Sequence, residues 1–349
     1  MTSKHNQLTL LRPDDWHVHF RDGDILDTVV DFTARQFSRA IVMPNLTPPV
    51  TDVDNARNYR NRIMDAISDH YNFEPLMTCY LTDEINFEEI EKGFREGVFF
   101  AVKLYPSGVT TNSALGVSDI TRLYGVFEKM SVVGIPLLVH GETPDPAIDI
   151  FDREAFFIDQ VLEPLVREFR ALKVVIEHIT TKEGVDFVRS QGERVAATIT
   201  AHHLVINRSD LFKGGIRPHL YCLPIAKREH HRLALREAAT SGHQSFFLGT
   251  DTAPHPRNLK ESACGCAGIF SAPAALEIYA QVFDEENALE NLEFFASING
   301  ARFYNLPLNQ SSITLKRQPN IVPQYIECSD RSVLIPFLAG ESLNWKILE

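Results

Sequence analysis

The sequence predicts an α/β chain folded as a (β/α)8 TIM-type barrel with a C-terminal extension. Three observations predict it. Eight short β-branched or aliphatic runs recur along the chain, most of them separated by stretches of helical periodicity or composition; that alternation marks a parallel sheet with helical crossovers. Eight is also the number of strands that closes such a sheet into a barrel. The first run leads into "WHVHFRDG", without the glycine-rich phosphate turn that a doubly wound open sheet carries there.

Taken in order, the runs are "LTLL" with "WHVHF", then "RAIVMP", "PLMTCYL", "FFAVKLY", "IPLLVHG", "VVIEHI", "VAATITAHH" and "SFFLGTD". Between them, "VDNARNYRNRIMDAIS", "DITRLYGVFEKMS" and "EAFFIDQVLEPLVREFR" read as helices. After about residue 305 the alternation fades into "SSITLKRQPNIVP" and "SVLIPFLAGESLNWKI". The expected organisation is therefore a single barrel domain over residues 1–349, with the barrel at about 10–305 and an extension packed on it at about 306–349.

Bulk properties narrow the function. The chain has 349 residues and a formal charge of −12, with a pI near 5.6, which argues against nucleic acid or an anionic membrane as main partner. No apolar run reaches the ~18 residues of a membrane span, and "MTSKHNQ" lacks the apolar core of a signal peptide. Five scattered cysteines, an odd number, fit a reducing cytosol better than a disulfide framework. A cytoplasmic protein acting on a small molecule is expected.

In such a barrel the active site sits at the C-terminal strand ends. The first run ends on His17 and His19, which share a side because side chains alternate. The second ends at Asn45, the fourth at Lys103, the fifth at His140 and the sixth at His178. The seventh closes with His202 and His203, and the eighth with Asp251, followed by His255. Imidazoles and a carboxylate are the ligands zinc accepts. Four histidines and an aspartate exceed what one catalytic zinc needs, so two metals sharing an activated water are expected. Lys103 is either a snorkelling side chain at the rim or a neutral amine that adds carbon dioxide, giving a carbamate that bridges the metals. Burial beside cations favours the neutral amine, and the ligands around it favour the second reading.

With these residues in place, "HVHFRDG", "MPNLTPPV", "KLYPSGVTTNS", "VHGE", "EHIT", "TAHHL", "GTDTAPH" and "CGCAGIF" resemble the bacterial dihydroorotases of the compact type, within the amidohydrolase superfamily. The resemblance covers about residues 10 to 305. It implies two zinc ions, one on His17, His19 and Asp251, the other on His140 and His178, bridged by N6-carboxylated Lys103. It implies reversible cyclisation of N-carbamoyl-L-aspartate to L-dihydroorotate by a metal-bridging hydroxide, with Asp251 as general acid and base. Arg21, Asn45 and His255 would grip the substrate's α-carboxylate, and backbone groups of Leu223 and Ala267 would meet the ring edge. His19 and His140 are counted with the substrate contacts as well as the ligands. Such enzymes are commonly homodimers.

"YPSGVTTNS", with Gly108 and a run of small polar residues, suits a mobile loop; Thr110 and Thr111 offer hydroxyls to a carboxylate, and the resemblance implies closure over substrate. Cys264 and Cys266 read as a tight loop. His202 and His203 stand equally as partners that orient a ligand or as packing, while His230 and His231 read as solvated. Two alternatives remain: a related dinuclear-zinc hydrolase of hydantoin- or allantoin-type rings, and an inactive scaffold barrel.

Overall fold

The computed structural model describes residues 6–348. Its centre is an eight-stranded parallel sheet in strict chain order. The strands are β2 (Asp14–Val18), β3 (Arg39–Val42), β4 (Glu74–Tyr80), β5 (Ala101–Leu104), β6 (Leu137–His140), β7 (Val174–Glu177), β8 (Val195–Ile199) and β9 (Phe246–Leu248). They follow β1 (Gln7–Leu11) and precede β10 (Ser312–Ile321), β11 (Ile326–Glu327), β12 (Val333–Leu334) and β13 (Ser342–Ile347). Helices fill most crossovers, and several start where the sequence supplies a cap. Asp52 accepts from Asn55 N to open Val53–Ala66, and Thr181 accepts from Gly184 N to open Lys182–Ser190.

The sheet closes between β2 and the residues after β9. Asp251 N donates to His17 O at 2.9 Å and His19 N to Thr252 O at 3.0 Å. Buried Asp15 strengthens this seam, taking Thr250 N at 2.8 Å and Thr250 Oγ1 at 2.6 Å. Burial pushes its carboxyl up to about 7, against the hydrogen bonds from Thr250 and His17.

Inside the barrel, Trp16, Ile41, Leu76, Leu138, Val175 and Phe247 pack into a floor with Phe303 and Tyr304 beneath. The larger cluster lies between strands and helices. Trp16 faces the floor while Val18 faces the helices, although strict alternation puts them on one side. A bulge resolves this. Asp15 pairs with Ala40 and Val18 with Val42, so β2 spends three residues where β3 spends two. The inserted residue lets His17, directly after Trp16, also turn inward.

Two expectations need correction. "LTLL" is not part of the first barrel strand: β1 pairs antiparallel with β10, and β10 with β13, in a separate three-stranded sheet. Pro13 has no amide to continue a ladder, and Arg12 anchors the break by donating to Ala34 O at 2.9 Å and Arg35 O at 2.6 Å. Nor do His202 and His203 end a strand. β8 stops at Ile199, and both lie on a short helix, Ala201–Val205, whose cap Thr200 accepts from His203 N.

Candidate active site

At the C-terminal mouth of the barrel, β2, β5, β6 and β7 with the residues just after them, and Asp251 three residues past β9, bring six side chains to one buried point. Lys103 on β5 and His140 on β6 stand two residues past the floor residues Ala101 and Leu138, so the period of the strand aims them inward too. His178 and Asp251 need more. Both adopt left-handed backbone, with φ of 45° and 44°, as does Arg21 at 62°. Such geometry is costly for non-glycine residues and concentrates at functional sites. Its effect at His178 is to bring the ring inward directly after Glu177, which also faces in.

The resulting geometry is tight. His17 Nε2 and His19 Nε2 are 3.1 Å apart, and Asp251 Oδ1 lies 3.3 Å from the first and 3.2 Å from the second. Three ligands of a tetrahedral zinc, each bonded at about 2.0 Å, sit roughly 3.3 Å apart. The triangle therefore fits one ion. His178 lies within 4.9 Å of the His17 ring and 4.8 Å of the His140 ring, centroid to centroid, and its Nδ1 is buried without a partner. Lys103 is fully buried, its Nζ against Glu177 Oε2 and 4.8 Å from the Tyr105 ring centre.

Three of the four histidines are tied from behind. His17 Nδ1 lies 3.0 Å from Glu177 Oε1, an ion-pair contact off the line of an aligned hydrogen bond. His19 Nδ1 meets Asn45 Oδ1 at 2.9 Å, and His140 Nε2 meets Glu142 Oε2 at 3.0 Å. For His19 and His140 the oxygen acceptor fixes the proton on that nitrogen and leaves the other with its lone pair, the pattern around metal-binding histidines. Burial holds His19 down to about 4, against the pull of Asp251, and lowers His140 and His178 as well. All three are neutral at pH 7 and able to ligate. Burial also lowers Lys103, opposed by Glu177. Asp251 is pushed up by burial, but its contacts with His19, His17 and His178 outweigh this and hold it well below the usual carboxylate range.

Above the cluster is a narrow pocket lined by Arg21, Asn45, Thr110, Thr111, Leu223 and Ala267 among others. Arg21 does not pair with Asp22, which Arg62 holds at 2.9 Å. It donates instead to Pro254 O at 3.1 Å and reaches His255 Nε2 at 2.9 Å. That nitrogen is also 3.0 Å from Ala267 O, so His255 either accepts from Arg21 or donates to Ala267. The Tyr105–Ser113 loop lies across the mouth. Thr111 Oγ1 donates to Ala267 O at 3.3 Å, and Asn45 Nδ2 donates to Thr111 O at 3.0 Å.

A profile of the amidohydrolase family matches residues 15–341. A dihydroorotase of Synechococcus sp. (strain RCC307) is 59% identical over 349 residues, covering 100% of both chains. Solved dihydroorotases agree in fold. That of Campylobacter jejuni has 38% identity and a TM-score of 0.91, covering 100% of this chain and 99% of its own. That of Saccharomyces cerevisiae, in complex with 5-fluoroorotic acid, has 33% identity and a TM-score of 0.92, covering 99% of each. The chain belongs to the amidohydrolase family, in its dihydroorotase branch.

In this amidohydrolase the structure brings His17, His19, Lys103, His140, His178 and Asp251 together, with Arg21, Asn45, Thr110, Thr111, Leu223 and Ala267 around the pocket and His255 beside Arg21. Sequence reasoning passed over Glu177 and Glu142. Both stand inside motifs it quoted, "EHIT" and "VHGE", and a carboxylate one or two positions from a ligand histidine was the available signal. His202 and His203 form a separate buried group with Cys222. Cys264 and Cys266 are unpaired, on a turn where Gly265 has a positive φ. His230 is exposed, whereas His231 is partly buried and accepts from Lys182 N at 3.0 Å.

Proposed function

We propose that this amidohydrolase catalyses the reversible cyclisation of N-carbamoyl-L-aspartate to L-dihydroorotate, the third step of pyrimidine synthesis. One observation carries the reading: the triangle of His17, His19 and Asp251, sized for a tetrahedral ion, lies beneath a pocket that presents Arg21 and Asn45. Full-length likeness to dihydroorotases supports the choice of ring. A simple hydantoin ring has no carboxylate for Arg21 to hold, which disfavours the hydantoinase reading.

The donor set suits two zinc ions, one on His17, His19 and Asp251, the other on His140 and His178, with carboxylated Lys103 between them. When bound, they supply a polarised ring carbonyl and an activated water. The chain's own side chains do the rest. Arg21 offers paired N–H donors to the α-carboxylate, and Asn45 fixes His19 while lining the pocket. In hydrolysis the ring C–N bond breaks, and Asp251 takes a proton from the attacking water and delivers it to the leaving ring nitrogen. In closure it moves the proton the other way, and water leaves. Backbone groups of Leu223 and Ala267 meet the ring edge, and the Tyr105–Ser113 loop excludes water above it. A homodimer in the cytoplasm completes the reading; no helix among the described residues is long and apolar enough to cross a membrane.

The test is dihydroorotate consumption by the purified protein before and after chelation, with metal counted. Two zincs per chain, loss of turnover on chelation and recovery with zinc are expected. A zinc-loaded protein inert toward dihydroorotate overturns the proposal.

A further inference from the structure

Lys260 is a lysine almost wholly out of water, 2% exposed, at the end of a short helix, Arg257–Lys260. Its hydrogen-bond partners are three backbone carbonyls. Nζ donates to Tyr221 O at 2.8 Å, Cys266 O at 2.7 Å and Gly268 O at 2.8 Å. Three acceptors match the three N–H donors of an ammonium. Burial lowers its pKa to about 8, with Arg21 acting in the same direction, so at neutral pH most molecules still carry all three donors.

The carbonyls belong to the two backbone segments on which the pocket depends. Tyr221 lies two residues before Leu223, and Cys266 and Gly268 flank Ala267. Because Cys266 and Gly268 turn their carbonyls toward Lys260, the Ala267 carbonyl is turned the other way, where His255 Nε2 lies at 3.0 Å and Thr111 Oγ1 at 3.3 Å. The segments are also joined directly, Gly268 N donating to Tyr221 O at 3.0 Å. On its other side Gly268 lies close to the segment after β9: with φ of 151°, a Cβ there would meet Ala253 O at 2.5 Å.

We infer that Lys260 is a positioning residue that sets the backbone platform for the substrate ring, clamping residues 266–268 against residues 221–223 at a fixed spacing. The inference rests on the proposed reading that backbone groups of Leu223 and Ala267 meet the ring. Lysine suits the task because one atom carries three donors that reach three carbonyls converging from different directions. An apolar side chain of similar length leaves the Cys266 and Gly268 carbonyls without the donor that holds them, and that segment shifts to find water.

The experiment compares zinc-loaded wild type, Lys260→Met and Lys260→Gln. It reads metal content, kcat and KM for dihydroorotate, and the Kd of 5-fluoroorotic acid by calorimetry. Lys260→Met is expected to weaken both KM and Kd at least tenfold while two metals remain and kcat stays within threefold. Lys260→Gln, which keeps two N–H donors, is expected to fall between, and it decides the matter should the Met variant not fold. Unchanged KM and Kd in a folded variant overturn the role, as does a fall in kcat with metal loss at constant KM. A wild type that neither turns over dihydroorotate nor binds 5-fluoroorotic acid overturns the functional reading and this one with it. Normal wild-type behaviour with indifferent variants overturns only the positioning role.

Discussion

Lys103 sits where an ammonium is least comfortable, fully buried among imidazoles. Its carboxylate neighbour Glu177 also touches His17, so one acid is shared between a lysine and a histidine. In the metal-free chain, where Lys103 is an unmodified amine, removing it leaves that acid buried with half its compensation, a change that typically costs about 3–5 kcal/mol. Lys103→Ala is expected to lose both stable metal binding and turnover. A small carboxylic acid at high concentration is expected to restore part of the activity by standing in for the carbamate, an effect that general destabilisation does not produce. Metal counting and a rescue titration check this; two zincs with near-normal turnover in Lys103→Ala would remove the bridging role.

Among the elements, the Tyr105–Ser113 loop shows how a short polar segment acquires a shape. Ser113 Oγ donates to Thr110 O at 2.6 Å and accepts from Thr110 N at 2.9 Å, pinning the tip. Asn45 and Asn112 latch the loop to the end of β3, with Asn112 Nδ2 donating to Asn45 O at 2.9 Å. Asn45 thereby links His19, which it also contacts, to the loop over the pocket. Each hydroxyl hydrogen bond to a charged group contributes roughly 1.5–3 kcal/mol. The Thr110→Ala, Thr111→Ala double variant is therefore expected to lower kcat at least tenfold with both metals retained. Substrate is expected to protect the wild-type loop from proteolysis. Steady-state kinetics beside a metal count decide it: full activity, or a defect that tracks metal loss, would reduce the segment to an ordinary connection.

Across the whole molecule, the C-terminal strands meet the helical layer of the barrel at a crowded contact. Trp345 on β13 is fully buried and donates Nε1–H to Asp284 Oδ2 at 3.3 Å. Arg317 on β10 stacks 4.7 Å from its ring and bonds the same carboxylate at 2.6 and 2.7 Å. Asp284 belongs to the helix Ala275–Glu285, so the sheet and the helical layer meet here. Truncating a buried tryptophan costs about 3–5 kcal/mol, which at the usual unfolding entropy per residue is a fall in Tm of roughly 4–7 °C for a chain of this size. Trp345→Ala is expected to show that fall while kcat and metal content at 25 °C hold, because the contact is remote from the barrel mouth. Calorimetry and kinetics on one preparation test it, and a catalytic defect without a thermal one would contradict it.

The sequence by itself determined the eight-strand alternation and the identity of the residues at the strand ends. Both are local: the period of a strand and the chemistry of a side chain are written where they act. That is why His17, His19, Lys103, His140, His178 and Asp251 are legible as one set in the sequence alone. Tertiary structure decided what depends on residues far apart in the chain. "LTLL" left the barrel because its partner strand, β10, lies some three hundred residues on. Trp16 and His17 both face inward because a bulge is a property of two paired strands, not one. Glu177 looked like an ordinary strand residue until the fold set it between Lys103 and His17. Lys260 gave no signal at all, since the three carbonyls that define it converge only when two loops and a helix pack together.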